Sequence, residues 1–144
     1  DYRKSINKYL GWVSEKPERL REYQNIYVIY GEDQINEKII GTVSSILVST
    51  LPNNLKPLLA FANIQAENAA KFSGRTTEAA LMKGVNLGDV MRLASEAHGG
   101  KGGGHNIAAG SQVPLDKVEA FIKTADELVG RQLKGEKLGS DNHT

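Results

Sequence analysis

Residues 99–110 read Gly-Gly-Lys-Gly-Gly-Gly-His-Asn-Ile-Ala-Ala-Gly, which places six of the chain's 15 glycines within twelve positions. Glycine is costly inside regular structure and favoured where backbone turns sharply or lies against a ligand. Successive amides in such a run can form a concave nest for an anion. The segments on either side have different periods. Upstream, Leu87, Val90, Met91, Ala94 and Ala97 repeat at helical spacing behind Asn86, an N-cap residue. Gly99 falls where a left-handed residue ends such a helix. Downstream, Ile107 to Val113 reads as a short strand. The order helix, glycines, strand reverses that of a dinucleotide fingerprint or a Walker loop, and Lys101 lacks the Ser or Thr that follows the Walker lysine. Taken alone, the glycines fit a flexible surface loop as well as an anion-binding loop.

Further out, strands and helices alternate. Ile26 to Tyr30 is β-branched and aromatic throughout and predicts a strand buried on both faces. Asn36 is expected to cap a helix whose stripe is Ile39, Ile40, Val43, Ile46 and Leu47. Pro57 to Ile64 predicts a second strand and Ala69 to Ser73 a third, antiparallel to it. Pro114 opens a last helix with a continuous apolar stripe from Leu115 to Val129. Before the first strand, Tyr2, Ile6, Tyr9 and Val13 share one helix face, and Pro17 suits a second short helix carrying Leu20 and Tyr23. The expectation is an α/β domain with a mixed sheet of about four to five strands, flanked by helices, and an N-terminal helical segment. It divides into a helical segment over 1–25, a sheet-bearing stretch over 26–133 and a flexible tail over 134–144.

Composition removes several function classes. The 144 residues suit one domain. Cysteine is absent, which excludes a thiol nucleophile, disulfides and cysteine-ligated metal, and suits a reducing cytoplasm. The net charge of +1 gives no global field for nucleic acid, so any such binding is local. No stretch is apolar enough to span a membrane, and no signal peptide is visible. The first residue is Asp1, which predicts a piece cut from a longer protein.

Two side chains turn the glycine run toward phosphate. His105 ends it, where an imidazole can donate to an oxygen held by nearby amides. Arg75, in Ser73-Gly74-Arg75, can fork onto a phosphate bidentately as a lysine cannot. The competing reading of Arg75 is a surface arginine paired with Glu67 or Glu78. Lys101 is a third cation, and Lys71 alternates with Ser73 and Arg75 on one strand face. His98 at a helix end is explained by the helix dipole, and His143 lies in the tail. Three scattered histidines without cysteine predict no metal site within the chain. Trp12, Tyr2 and Tyr9 read as core or domain contacts.

Ser73-Gly74-Arg75, followed after an amphipathic helix by Gly102-Gly103-Gly104-His105-Asn106-Ile107-Ala108-Ala109-Gly110, resembles the DHH-associated C-terminal domain of DHH-family phosphoesterases. Asn106, where many members carry proline, is similar to the archaeal RecJ-like branch of single-strand exonucleases. The resemblance runs from about Ile26 to Leu133, and the helical start resembles the linker that precedes the domain. It implies that Gly102, Gly103, Gly104 and His105 form a phosphate loop, with His105 stabilising charge on the phosphate, and the cation Lys101 stands within that run as a further substrate-binding candidate. It implies that Ser73 and Arg75 bind the substrate strand. It also implies a separate N-terminal DHH domain that carries divalent manganese or magnesium, so this stretch alone is expected to be inactive. The implied partners are that domain, single-stranded nucleic acid or a nucleotide, and replication proteins. Small-nucleotide hydrolysis, an interaction module and the related tRNA-binding domain of alanyl-tRNA synthetases remain open.

Overall fold

A computed structural model describes residues 2–139, the side chains of Tyr2 and Ser5 excepted. One six-stranded sheet organises them, in the order β1 (Leu20–Glu22), β2 (Tyr27–Glu32), β3 (Leu58–Ile64), β4 (Ala69–Arg75), β6 (Ala108–Pro114), β5 (Lys101–Gly104). Strands β2 and β3 are parallel, and every other neighbouring pair is antiparallel.

The parallel pair dictates a crossover, and α2 (Ile40–Leu47) supplies it. Together with α1 (Tyr2–Glu15), α2 covers one face of β2 and β3 through a cluster that includes Ile6, Val13, Tyr27, Ile29, Ile40, Val43, Leu58 and Ala60. The opposite face carries the larger cluster, where α4 (Leu87–Ala97) and α5 (Val118–Leu133) lie over Val28, Tyr30, Leu59, Phe61 and Phe72. A short α3 (Glu78–Met82) precedes α4. Strand β2 is therefore buried on both sides, as its unbroken apolar run requires. An aromatic row crosses the sheet in register, Tyr30 opposite Phe61 opposite Phe72, and Phe121 of α5 closes it 4.5 Å from the Phe72 ring.

The sheet has more strands than the four to five expected, and two of them explain the excess. Leu20–Glu22 pairs with β2 instead of continuing a helix, and only Pro17–Arg19 forms a short 3-10 turn. Lys101–Gly104 is a strand although three of its four residues are glycine. Asn36 does not cap α2, because its side chain accepts from the amide of Lys38 in the turn that precedes the helix. The expected caps of α4 do hold. Asn86 accepts from the amide of Asp89 at 3.2 Å, and Gly99, at φ +76°, lets the amide of Gly100 reach the carbonyl of Ser95. Part of the expected flexible tail is also packed, since Leu138 is only 2% exposed and joins the larger cluster. His143 lies outside the described residues.

Candidate phosphate-binding site

Because the α1–α2 layer covers only part of its face, the portion of the sheet made by β4, β6 and β5 lies partly open beside it. Strand alternation puts Lys71, Ser73 and Arg75 on this face, with Phe72 and Gly74 on the other. The register extends two rows outward. Ser73 stands opposite Gly110, and Gly110 opposite Gly103. Arg75 stands opposite Ala108, and the amide of His105 donates to the carbonyl of Ala108 at 2.8 Å. Residues directly opposite share a face, so Arg75, Ala108 and His105 form one row about 10 Å wide across two strand spacings.

The result is a cleft of about 440 Å³ whose floor is glycine and alanine backbone and whose walls carry Lys71, Arg75, Lys38 and Glu37. Helix α2 approaches closely at Gly41, where a Cβ would stand 3.2 Å from the Ser73 hydroxyl. Ser73 itself is buried, its hydroxyl 3.5 Å from that of Ser44. Lys71 donates to the carbonyl of Glu37 at 3.2 Å, which ties β4 to the turn before α2. Arg75 donates to the carbonyl of Gly74, and among the described residues it forms no salt bridge. The competing pairing with Glu67 or Glu78 is therefore not made, and Glu67 accepts from Gln112 instead. His105 is exposed at the hairpin turn, with no partner for its ring among the described residues.

Several expected site residues fall elsewhere or behave differently. The glycines form an edge strand, not a loop, so the nest of successive amides is not built. The His105 amide bonds to β6, and strand alternation then leaves the amides of Gly102 and Gly104 directed to the free edge. Gly102 faces α4, where a Cβ would lie 2.6 Å from the Met91 carbonyl oxygen. Gly103 and Gly104 line the cleft, whereas Lys101 lines a neighbouring depression with Asn68 and Gln112. Gly74 gives close approach to Met91 and Leu59 of the core, not to a ligand. The sequence reading missed Lys38, Gly41 and Thr42, because only the crossover brings the start of α2 beside β4. His98 hydrogen-bonds Thr124 of α5 at 2.7 Å.

The described residues do not fit a metal centre, since no three His, Cys, Asp or Glu side chains gather to hold an ion. What the cleft can do chemically is hold an anion. Three cations, Lys38, Lys71 and Arg75, flank a floor of glycine and alanine backbone, and His105, exposed at the adjoining hairpin turn, is not among the residues that line it. Among the described residues, no helix is long and apolar enough to cross a membrane.

Comparison with known proteins bears on the family and the fold. The DHHA1 domain family matches residues 23–131. An uncharacterised protein of Methanocaldococcus jannaschii is 36% identical over 134 residues, which cover 93% of this chain and 27% of that protein. The chain thus spans about a quarter of the curated relative it matches. RecJ of Thermus thermophilus, solved with Mn²⁺, superposes with a TM-score of 0.62 at 18% identity, over 90% of this chain and 17% of RecJ. A pGpG-specific phosphodiesterase of Vibrio cholerae superposes with a TM-score of 0.61 at 15% identity, over 91% of this chain and 41% of that one. At such identities the two structures share the fold.

Proposed function

The chain belongs to the DHHA1 domain family, related to DHH-family phosphoesterases, and on that premise we propose that it is the substrate-gripping domain of such an enzyme. The ligand is a phosphate of single-stranded nucleic acid or of a nucleotide. One observation carries the reading: the rows Ser73–Gly110–Gly103 and Arg75–Ala108–His105 lie side by side on the part of the sheet face that α2 borders and leaves open. Arg75 forks onto two non-bridging oxygens, Lys71 adds a second charge, and the bare glycine floor lets the phosphate approach the backbone. His105 donates to a third oxygen and stabilises charge there as it develops. Metal-dependent hydrolysis belongs to a DHH domain carrying divalent manganese or magnesium, and this chain contributes binding and orientation.

Arg75→Ala and His105→Ala test the assignment. Each is expected to weaken binding of a short 5′-phosphorylated oligonucleotide by about tenfold or more, with an unchanged circular dichroism melt. Wild-type affinity in both variants overturns it. The likeness to a pGpG-specific phosphodiesterase supports a second reading, in which the parent acts on dinucleotides. A strand exonuclease gains affinity with each added nucleotide and loses it with salt, whereas a dinucleotide enzyme is flat beyond two nucleotides.

A further inference from the structure

A second cavity, of about 730 Å³, adjoins the phosphate cleft and shares Glu37 and Lys38 with it. It lies outside the carboxyl ends of the parallel strands β2 and β3, the usual place for a ligand in an open α/β sheet. Asp33 directly follows β2, and Asn63 and Gln65 stand at the end of β3. Asp33 Oδ1 accepts from Asn63 Nδ2 at 3.2 Å and from Gln65 Nε2 at 2.8 Å. Both amide nitrogens are thereby turned onto one carboxylate oxygen. Asp33 Oδ2, Asn63 Oδ1 and Gln65 Oε1 have no hydrogen-bond partner among the described residues, so the cavity offers acceptors. Tyr9 of α1, half-buried, lines the same space with an aromatic ring.

Charge divides the two cavities. The cleft carries Lys71, Arg75 and Lys38 against Glu37, and the second cavity carries Asp33 and Glu37 against Lys38. Phosphate is drawn to the first and repelled from the second. The second suits a neutral, flat group rich in donors. Among the common bases only guanine presents a ring N–H beside an exocyclic amino group on its Watson–Crick edge, a pair of donors that the free Asp33 Oδ2 and a neighbouring amide oxygen can accept. An aromatic side chain at the same place supplies a stacking surface.

We propose that this cavity is a guanine subsite for the nucleotide chain whose phosphate occupies the cleft. The inference rests on the phosphate reading above. Arg75 pairs with Leu58, and Asn63 lies five residues further along β3. At about 3.4 Å per residue the two positions are ~17 Å apart along the sheet. The guanine therefore belongs to a nucleotide further along the strand and not to the one held at Arg75.

The test uses labelled adenine pentanucleotides with one guanine walked through each position, and the same set with inosine, which lacks only the exocyclic amino group. Fluorescence anisotropy with the full chain is expected to show one register at which guanine binds about tenfold tighter than inosine or adenine. In Asp33→Asn, and independently in Gln65→Ala, the guanine-to-inosine ratio is expected to fall toward one, with thermal melts confirming the fold. Equal, measurable affinity for guanine and inosine at every position overturns the subsite and leaves the phosphate cleft standing. A ratio unchanged in both variants does the same. If no pentanucleotide binds, the phosphate cleft falls and the subsite falls with it.

Discussion

Gly103 of β5 stands directly opposite Gly110 of β6, and Gly110 in turn stands opposite Ser73 of β4. The middle of the open sheet face is thus backbone alone over two adjacent strands. A Cβ at Gly110 would meet only the Phe72 carbonyl oxygen, at 3.2 Å, a contact that a small shift relieves. Gly110→Ala should therefore fold nearly as well as the parent while raising the cleft floor by a methyl group. The expected outcome is about a tenfold loss of affinity for a phosphorylated oligonucleotide, with a melting midpoint within about 4 °C of the parent, the shift that ~1 kcal/mol produces in a domain of this size. Paired anisotropy and thermal melts check it.

Gly102, one residue away from Gly103, predicts the opposite pattern. Its would-be Cβ stands 2.6 Å from the Met91 carbonyl oxygen and 2.8 Å from both Ser111 Cβ and Ser95 Oγ. None of these is the free end of a long side chain, so helix α4 must move off the strand. Gly102→Ala should cost about 1–3 kcal/mol through overpacking. Urea unfolding measures that cost, and affinity per folded molecule should change less than in Gly110→Ala. The contrast separates glycines that admit a helix from glycines that admit a ligand.

Phe72 ties the neighbouring strand β4 to the core. Its ring lies between Phe61 at 4.9 Å and Phe121 at 4.5 Å and is fully buried. Removing it empties the junction where the sheet meets α5. Phe72→Ala is expected to cost about 3–5 kcal/mol. That is a large share of the roughly 5–15 kcal/mol that holds a typical domain together. The urea midpoint of this variant should fall further than that of either glycine variant.

These contrasts explain which parts of the molecule were legible in the chain. Apolar period located β2, β3, α4 and α5, because burial there is a matter of side chains at fixed spacing. Local capping placed the ends of α4, since Asn86 and Gly99 act within one turn of themselves. Strand β5 was invisible because Lys101–Gly104 has no strand propensity of its own and is held by β6 on one side and α4 above. The same holds for Leu20–Glu22, whose pairing with β2 is decided by a neighbour and not by its own side chains. Gln132 falls on the apolar stripe of α5, and it is buried because it bonds both the amide and the carbonyl of Asn86, a fact no local pattern carries. For the site, alternation along β4 grouped Lys71, Ser73 and Arg75, but only the register of β6 and β5 brings His105 into the row of Arg75. The acceptor cluster of Asp33, Asn63 and Gln65 depends on two strands ending side by side, which a single chain read in order does not display.

Asp126 of α5 sets a pH dependence of unusual sign. Its carboxylate accepts from the amide of Asn25 at 2.7 Å, in the turn between β1 and β2. Burial pushes its pKa above the ordinary carboxylate range, opposed more weakly by hydrogen bonds from the Asn25 and Ile26 amides and by the charge of Lys56. With the folded pKa above the unfolded one, the native state binds the proton more tightly. Its contribution to stability therefore grows as pH falls through the folded pKa and is lost as pH rises through it. Asp126→Asn removes this titration and keeps an oxygen acceptor for the Asn25 amide. Urea unfolding over a pH series should show the variant gaining on the parent as pH rises from the acidic carboxylate range toward neutrality, and the difference should flatten above it. A difference that moves the other way would mean that the Asn25 and Ile26 hydrogen bonds, not burial, govern the group.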